Sequence, residues 1–260
     1  QTDAGSSANA YAIAFDKSAK EGNYIHGADV IGTLEVAAAK AEGKIALSGS
    51  SASKVYDGKP LAAQVASATV PTQDPVTIEY SLDGENWTTD PGSLTATDVA
   101  DSATVQLRAS SLGNYEGYVH GSQQLSVTKR AVNLKSDSAS KVFDGTALTR
   151  PEVVGWKQLG DEGFVDGQVS AVRATGSATH VSDGKVANTI VYTEGEGFNA
   201  DNYAISKDEG VLSVTAKQIA AADMTVRAPA DVVYSGKAQQ QKPVVKDGDK
   251  VLVEGVDYEL

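Results

Sequence analysis

Cysteine is absent from the 260 residues. That removes disulfides, thiolate nucleophiles and cysteine-ligated metals together. A secreted eukaryotic domain of this size usually carries such staples, so their absence points to the cytosol or to a bacterial exterior. Basic residues are also scarce: 22 Lys and Arg stand against 34 Asp and Glu, a net charge of −12. The acidic excess is spread along the chain, which disfavours nucleic acid and anionic membrane surfaces, since both require a basic footprint. No apolar run approaches the roughly 20 residues of a membrane helix, so no membrane insertion is expected of this stretch. Aromatics make up only 6% of the residues, with Ala, Ser, Thr, Val and Gly abundant, which suits modest β-domains better than an enzyme with a deep pocket. The three histidines, His26, His120 and His180, lie far apart and are not clustered as a zinc site requires.

What the chain does have is repetition. Lys54-Val55-Tyr56-Asp57-Gly58 returns as Lys141-Val142-Phe143-Asp144-Gly145 and, more loosely, as Val232-Val233-Tyr234-Ser235-Gly236, at separations of 87 and 91 residues. Asn23-Tyr24, Asn114-Tyr115 and Asn202-Tyr203 keep the same beat, spaced by 91 and 88. Each pair is followed by an apolar-x-Val step: Leu34-Glu35-Val36, Leu125-Ser126-Val127 and Leu212-Ser213-Val214. Three markers on one period define a tandem array of roughly 90-residue modules, each long enough to enclose a small core. The expected organisation is the second half of a truncated repeat over 1–38, complete repeats over 39–129 and 130–216, and the first half of another over 217–260.

Within the modules the pattern is β. Val76-Thr77-Ile78-Glu79-Tyr80, Thr104-Val105-Gln106-Leu107-Arg108, Thr189-Ile190-Val191-Tyr192 and Gly210-Val211-Leu212-Ser213-Val214 show the period-two character of half-buried strands. Asp83-Gly84 reads as a hairpin tip, and Asp57-Gly58, Asp144-Gly145 and Asp183-Gly184 repeat its turn chemistry. The best helix candidate, Leu34 to Lys44, lacks a counterpart after Val214 and is read as a linker with fraying β ends. The expected fold is all-β, with tandem small Ig-like β-sandwich modules in an extended array. A β-grasp-like module is the alternative. The recurring aromatics Tyr56, Phe143 and Tyr234 read as rings that plug one end of a sandwich, with Gly58, Gly145 and Gly236 in the turns. The tyrosines Tyr24, Tyr115 and Tyr203 read as rings at a strand entrance whose hydroxyls bond to backbone. Scaffold roles are preferred for all of these, because every copy must fold whereas not every copy need bind.

These motifs resemble the MBG-type and YDG-type tandem repeats of bacterial cell-surface adhesins. The resemblance rests on Ser138-Ala139-Ser140-Lys141-Val142-Phe143-Asp144-Gly145, the Asn202-Tyr203 pair and Gly210-Val211-Leu212-Ser213-Val214. Residues 48–128 match at both ends, and 231–260 resemble a further variant. Phe143 in place of tyrosine and Ser235 in place of aspartate depart from the pattern. The resemblance implies a cell-wall-attached or secreted bacterial protein whose repeats form a stalk, in some cases associated with host mucin or glycan adhesion.

Chemistry is harder to find. Trp87 and Trp156 are the only tryptophans and the candidates for stacking on sugar rings, against the alternative that Trp87 packs across its hairpin on Tyr80 and Trp156 beneath the Gly155/Gly160 loop. Acidic loops such as Glu194-Gly195-Glu196 and Asp208-Glu209 lack the alternating Asp spacing of calcium loops. An internal Lys–Asn isopeptide bond would require Lys54 or Lys141 buried and neutral, and both are expected to face solvent. The sequence therefore predicts no catalysis, no metal and no cofactor. It points to a structural stalk that projects a distal binding region. The rivals are modules that bind glycans weakly with avidity, and the accessory region of a secreted carbohydrate-active enzyme.

Overall fold

A computed structural model describes residues 1–18, 21–24, 27–28, 30–72, 74–218, 224–240, 242–255 and 257–258. His26, Ile219, Val256, Glu259 and Leu260 lie outside the described residues. The protein is all-β. Its helices, among the described residues, are 3₁₀ turns of three residues each, so the α-helix that a β-grasp module would pack on its sheet is not among them. Contacts divide the chain into two compact units. The first joins Gln1–Val132, Lys157–Gln168 and Glu196–Ile205; the second joins Asn133–Trp156, Val169–Gly195 and Ser206–Leu260. The division does not follow the repeat boundaries, because three pieces of the 130–216 repeat (130–132, 157–168 and 196–205) belong to the unit that contains the 39–129 repeat.

The first unit is organised by a four-stranded sheet in the order Ala52–Val55, Val119–Thr128, Ala103–Ser111, Val76–Ser81. The first pair runs parallel, with Leu125 opposite Ala52, and the other pairs are antiparallel. Alternation dictates which face is covered: Val105, Leu107 and Ala109 are buried while Thr104 and Gln106 are exposed. Leu34 to Lys44 contains strands Thr33–Val36 and Ala39–Lys40 and no helix. Gly5–Ala8 pairs antiparallel with Thr33–Val36, placing Ser7 opposite Leu34.

The second unit repeats that plan. Ala139–Val142 runs parallel to Val211–Thr215, with Ala139 opposite Leu212, and Lys185–Ala187 pairs antiparallel with the same strand. The parallel registers of the two repeats coincide residue for residue, so the sequence period is also a structural one. Leu148, Ala178, Leu212 and Val214 form its core, with Phe143 and Val186 packed against them. Asn188 is the buried polar centre: its Nδ2 donates to the carbonyls of Asp137 and Arg150, and its Oδ1 accepts from the Gly176 N–H. Gly210 precedes the last strand because a Cβ there would lie 2.3 Å from the Asp137 carbonyl. A further sheet, Met224–Arg227, Val244–Asp247 and Lys250–Val251, completes the unit.

Three of the Asp-Gly turns have one construction, with Asp57, Asp83 and Asp144 each accepting the N–H two residues on, whereas Asp183 accepts the Thr179 and His180 N–H groups before it. Gly58, Gly84, Gly145 and Gly184 all adopt positive φ. The Asp83 carboxylate accepts the Asn86 side chain and the Glu85 and Asn86 N–H groups, and Asp144 accepts the Lys141 ammonium at 2.6 Å and the Thr146 N–H. Lys54 and Lys141 are thus half-buried over their own turns, each also donating to a carbonyl (Lys59 and Thr146), rather than facing solvent as their strand position suggests.

Hydrogen bonding holds both carboxyls well below the usual range: at Asp83 from the Asn86 amide first and then the loop N–H groups, at Asp144 from the Lys141 ammonium first and then Thr146. A carboxylate whose folded pKa is depressed contributes stability above its unfolded pKa of about 3.9 and loses it as pH falls towards the folded value. Stability measured by urea unfolding should therefore fall below about pH 4. In the Asp83→Asn/Asp144→Asn variant it should be lower at neutral pH and fall less steeply on acidification; an unchanged acid slope would contradict this account.

Candidate functional site

In the first unit the Asn-Tyr pair of one repeat closes the end of the repeat before it. The 3₁₀ turn Ala200–Asn202 is capped by the Asn199 side chain, which accepts from the Asp201 N–H, and it delivers Asn202 and Tyr203 inward. Asn202 Oδ1 accepts from the Val99 N–H at 2.9 Å, and its Nδ2 donates to Asp98 at 2.8 Å. Tyr203, 3% exposed, meets the Tyr56 ring edge-on at 5.4 Å between centroids and packs edge-on against Phe164 at 5.3 Å. Phe198 stacks on it at 5.6 Å. The Tyr203 hydroxyl accepts from the Val165 N–H at 3.2 Å and donates to Gln168, whose amide in turn donates to the Tyr56 hydroxyl at 2.8 Å. Burial pushes the Tyr203 phenol up from its ordinary value.

Beneath these rings lies Arg130, 1% exposed. Its guanidinium donates to the carbonyls of Gly160 (2.6 Å), Gly163 (2.7 Å), Glu162 (2.8 Å) and Tyr56 (3.3 Å). A buried cation is tolerable only when its donors are satisfied, and here main-chain dipoles satisfy them. The sequence motifs do not single out Arg130. Its spacing of 74 residues from Tyr56, repeated between Phe143 and Lys217, is the signal that could have found it.

The same signatures are seated differently elsewhere. Asn114 Oδ1 accepts from the Ala4 N–H at 2.7 Å, and its Nδ2 donates to Asp3 and Asp74, so this pair also reaches a preceding segment. Tyr115 is half-buried on the Ala41/Ile45/Ala109 cluster. Asn23 and Tyr24 are exposed, and Tyr24 stacks on Phe15. Phe143 is half-buried, and its ring lies 5.8 Å from that of His180. Tyr234 is 92% exposed. The second unit holds a cavity of about 320 Å³ lined by Phe143, His180, Val181, Lys217, Asp247 and Leu252, among others.

Trp87 packs on Arg108, not across the hairpin on Tyr80. The ladder pairs Tyr80 with Thr88, Tyr80 is buried with its hydroxyl accepting from the Ala66 N–H, and Trp87 occupies the other face. The Arg108 guanidinium lies 4.2 Å from the Trp87 ring and 4.5 Å from the Tyr118 ring, and its Nε donates to Glu79 at 2.7 Å. The Trp87 indole donates to the Gly84 carbonyl. Trp156 is half-buried beside Gly155, at whose position a Cβ would meet the Asn133 carbonyl at 1.9 Å. Trp87 belongs to the first unit and Trp156 to the second. Lys141 faces Asp144 in an ion pair, not an asparagine poised for amide formation. No group of three or more His, Asp or Glu side chains with metal-binding geometry occurs among the described residues. No helix among them is long and apolar enough to cross a membrane.

Truncating Tyr203→Phe removes the acceptor for the Val165 N–H and should cost about 1–3 kcal/mol. Arg130→Met, which strips four carbonyls of their donor, should cost at least as much, measured by equilibrium unfolding. Neutral values for both would mean that the ring cluster is not closed in solution.

No protein-family model matches the sequence, and no curated protein matches it. Among solved structures, Drosophila OTK, extracellular domains 3–5, is similar over 69% of this chain and 67% of that one, at 13% identity and a TM-score of 0.25.

Proposed function

We propose that the chain is a non-catalytic structural region of an extracellular surface protein, with repeats of the MBG/YDG type whose signatures serve folding and the joining of successive modules. The observation that carries this reading is the Asn202-Tyr203 pair, a recurring motif spent on the Tyr56, Asp98 and Val99 end of the preceding repeat. A motif consumed in that way leaves no group over for a ligand, and a chain of such joints transmits load from one module to the next. A bacterial cell-wall or secreted setting follows from the resemblance together with the absence of cysteine.

A second reading is weak glycan binding, favoured by Trp87, Arg108 and Tyr118 lying side by side with Tyr118 47% exposed. The Arg108 guanidinium lies over both rings, and Tyr118, exposed where Trp87 is half-buried, is the better platform. Binding of the chain to purified mucin and a glycan array separates the two. The structural reading expects no specific binding. Binding abolished by Trp87→Ala or Tyr118→Ala would replace it with the adhesive one. Joining itself is read by hydrogen exchange: Asn202→Ala should speed exchange of the Val99 amide, a residue of the preceding repeat, several-fold.

A further inference from the structure

Both complete repeats contain the same parallel ladder, and it ties a strand near the start of the repeat to the strand that ends it. Ala52–Val55 lies beside residues 125–128, and Ala139–Val142 beside residues 212–215, in the same register. Side chains lengthen the ladder at the same places in both. At its upstream end the Ser51 hydroxyl accepts the Gln124 N–H, and the Ser138 hydroxyl accepts the Val211 N–H, both at 2.9 Å. At its downstream end the Thr128 hydroxyl donates to the Lys54 carbonyl and the Thr215 hydroxyl to the Lys141 carbonyl, both at 3.2 Å. One more main-chain bond closes each: the Tyr56 N–H donates to the Thr128 carbonyl at 2.9 Å, and the Phe143 N–H to the Thr215 carbonyl at 2.8 Å.

The direction of these strands decides how they meet tension. Ala52–Val55 and residues 125–128 point the same way, so chain entering at Ser51 and chain leaving at Lys129 pull the pair in opposite senses along its own axis. Every bond of a ladder loaded in that way is strained together, and none breaks much before the rest. Pulled apart sideways from one end, the same ladder would lose its bonds one at a time. Leu125 and Val127, like Leu212 and Val214, are buried, so one face of each ladder is closed to the water that would otherwise compete for its bonds. A large core is no substitute for such a ladder, because resistance to forced unfolding follows the unfolding barrier rather than the equilibrium stability.

We infer that this ladder is a mechanical clamp, present once in each complete repeat, that holds the repeat closed against tension applied along the chain. Ser51 and Thr128 in one repeat, and Ser138 and Thr215 in the other, are its outermost fasteners. That the chain meets such tension in use rests on the structural reading. The clamp itself rests on strand direction and hydrogen bonding alone.

The chain has no cysteine, so paired cysteine substitutions in the 260-residue chain can set the direction of pull. Ser50→Cys with Lys129→Cys, both at exposed positions, loads the first ladder in shear and bypasses the strand Ala46–Ser48. Ser50→Cys with Gln124→Cys, also exposed, opens the same ladder from one end. In single-molecule force spectroscopy at one loading rate, either pair should release about 25 nm of chain on unfolding, which identifies the event. The shear pair should need a several-fold higher force. Thr128→Val keeps the shape of the side chain and loses its hydroxyl. It should lower the shear force and leave the one-end force unchanged, because Thr128 lies at the end of the ladder that opens last. Equal forces in the two directions, or a Thr128→Val effect of equal size in both, would overturn the clamp. Specific mucin binding would instead overturn the structural reading and leave these forces as they are.

Discussion

Everything distinctive in this chain depends on one contact: an Asn-Tyr pair buried against the end of the repeat that precedes it. Small β-modules rich in Ala, Ser and Thr cannot bury enough apolar surface at their ends to close them alone. Tyr203 supplies the ring that the Tyr56 end needs, and Tyr56, Phe164 and Phe198 enclose it in turn. Arg130 then ties the loop around residues 160–163 to the Tyr56 carbonyl. The module is therefore not the unit of closure. This accounts for a compact unit that gathers residues 157–168 and 196–205 with the repeat before them.

The aromatic series makes the dependence visible. Tyr56 is buried under the Tyr203 ring, Phe143 is half-buried beside His180, and Tyr234 is exposed. Three residues of equivalent position differ in their surroundings: strands Ala52–Val55 and Ala139–Val142 lead into Tyr56 and Phe143, whereas residues 230–234 form no strand. The substitution of Phe143 for tyrosine fits the same logic. At Tyr56 the hydroxyl receives a hydrogen bond from Gln168; Phe143 has no hydroxyl to receive one.

Much of this was legible in the sequence, and the reasons divide cleanly. Strands announced themselves by alternation: Val105, Leu107 and Ala109 inward, Thr104 and Gln106 outward. Turns announced themselves through Asp-Gly pairs whose glycines adopt positive φ. These are local effects, written in adjacent residues. Lys54 and Lys141 were misread because strand position says nothing about a long, flexible side chain that can fold over a turn five residues on. Trp87 does not reach Tyr80 because the ladder pairs Tyr80 with Thr88, which puts the neighbouring Trp87 on the other face, a phase that the hairpin tip sets and the residue types do not show. Arg130 was invisible locally, since its partners lie 30 to 33 residues ahead and 74 behind.

The buried arginine sharpens the argument about what the joint selects. A guanidinium satisfied by carbonyls alone gains no ion-pair attraction to offset desolvation, so its net contribution to stability is small compared with the cost of removing it. Its five donors in a fixed plane do impose geometry: only one arrangement of the 160–163 loop presents three carbonyls to it at once. Lys217, with a compact ammonium, cannot make that fork and pairs with the Asp247 carboxylate instead. The two positions thus accept different neighbours while occupying the same place in the repeat. A hydrophobic plug would have closed the end without distinguishing one neighbour from another. A fork of directed donors closes it only onto a loop of matching shape.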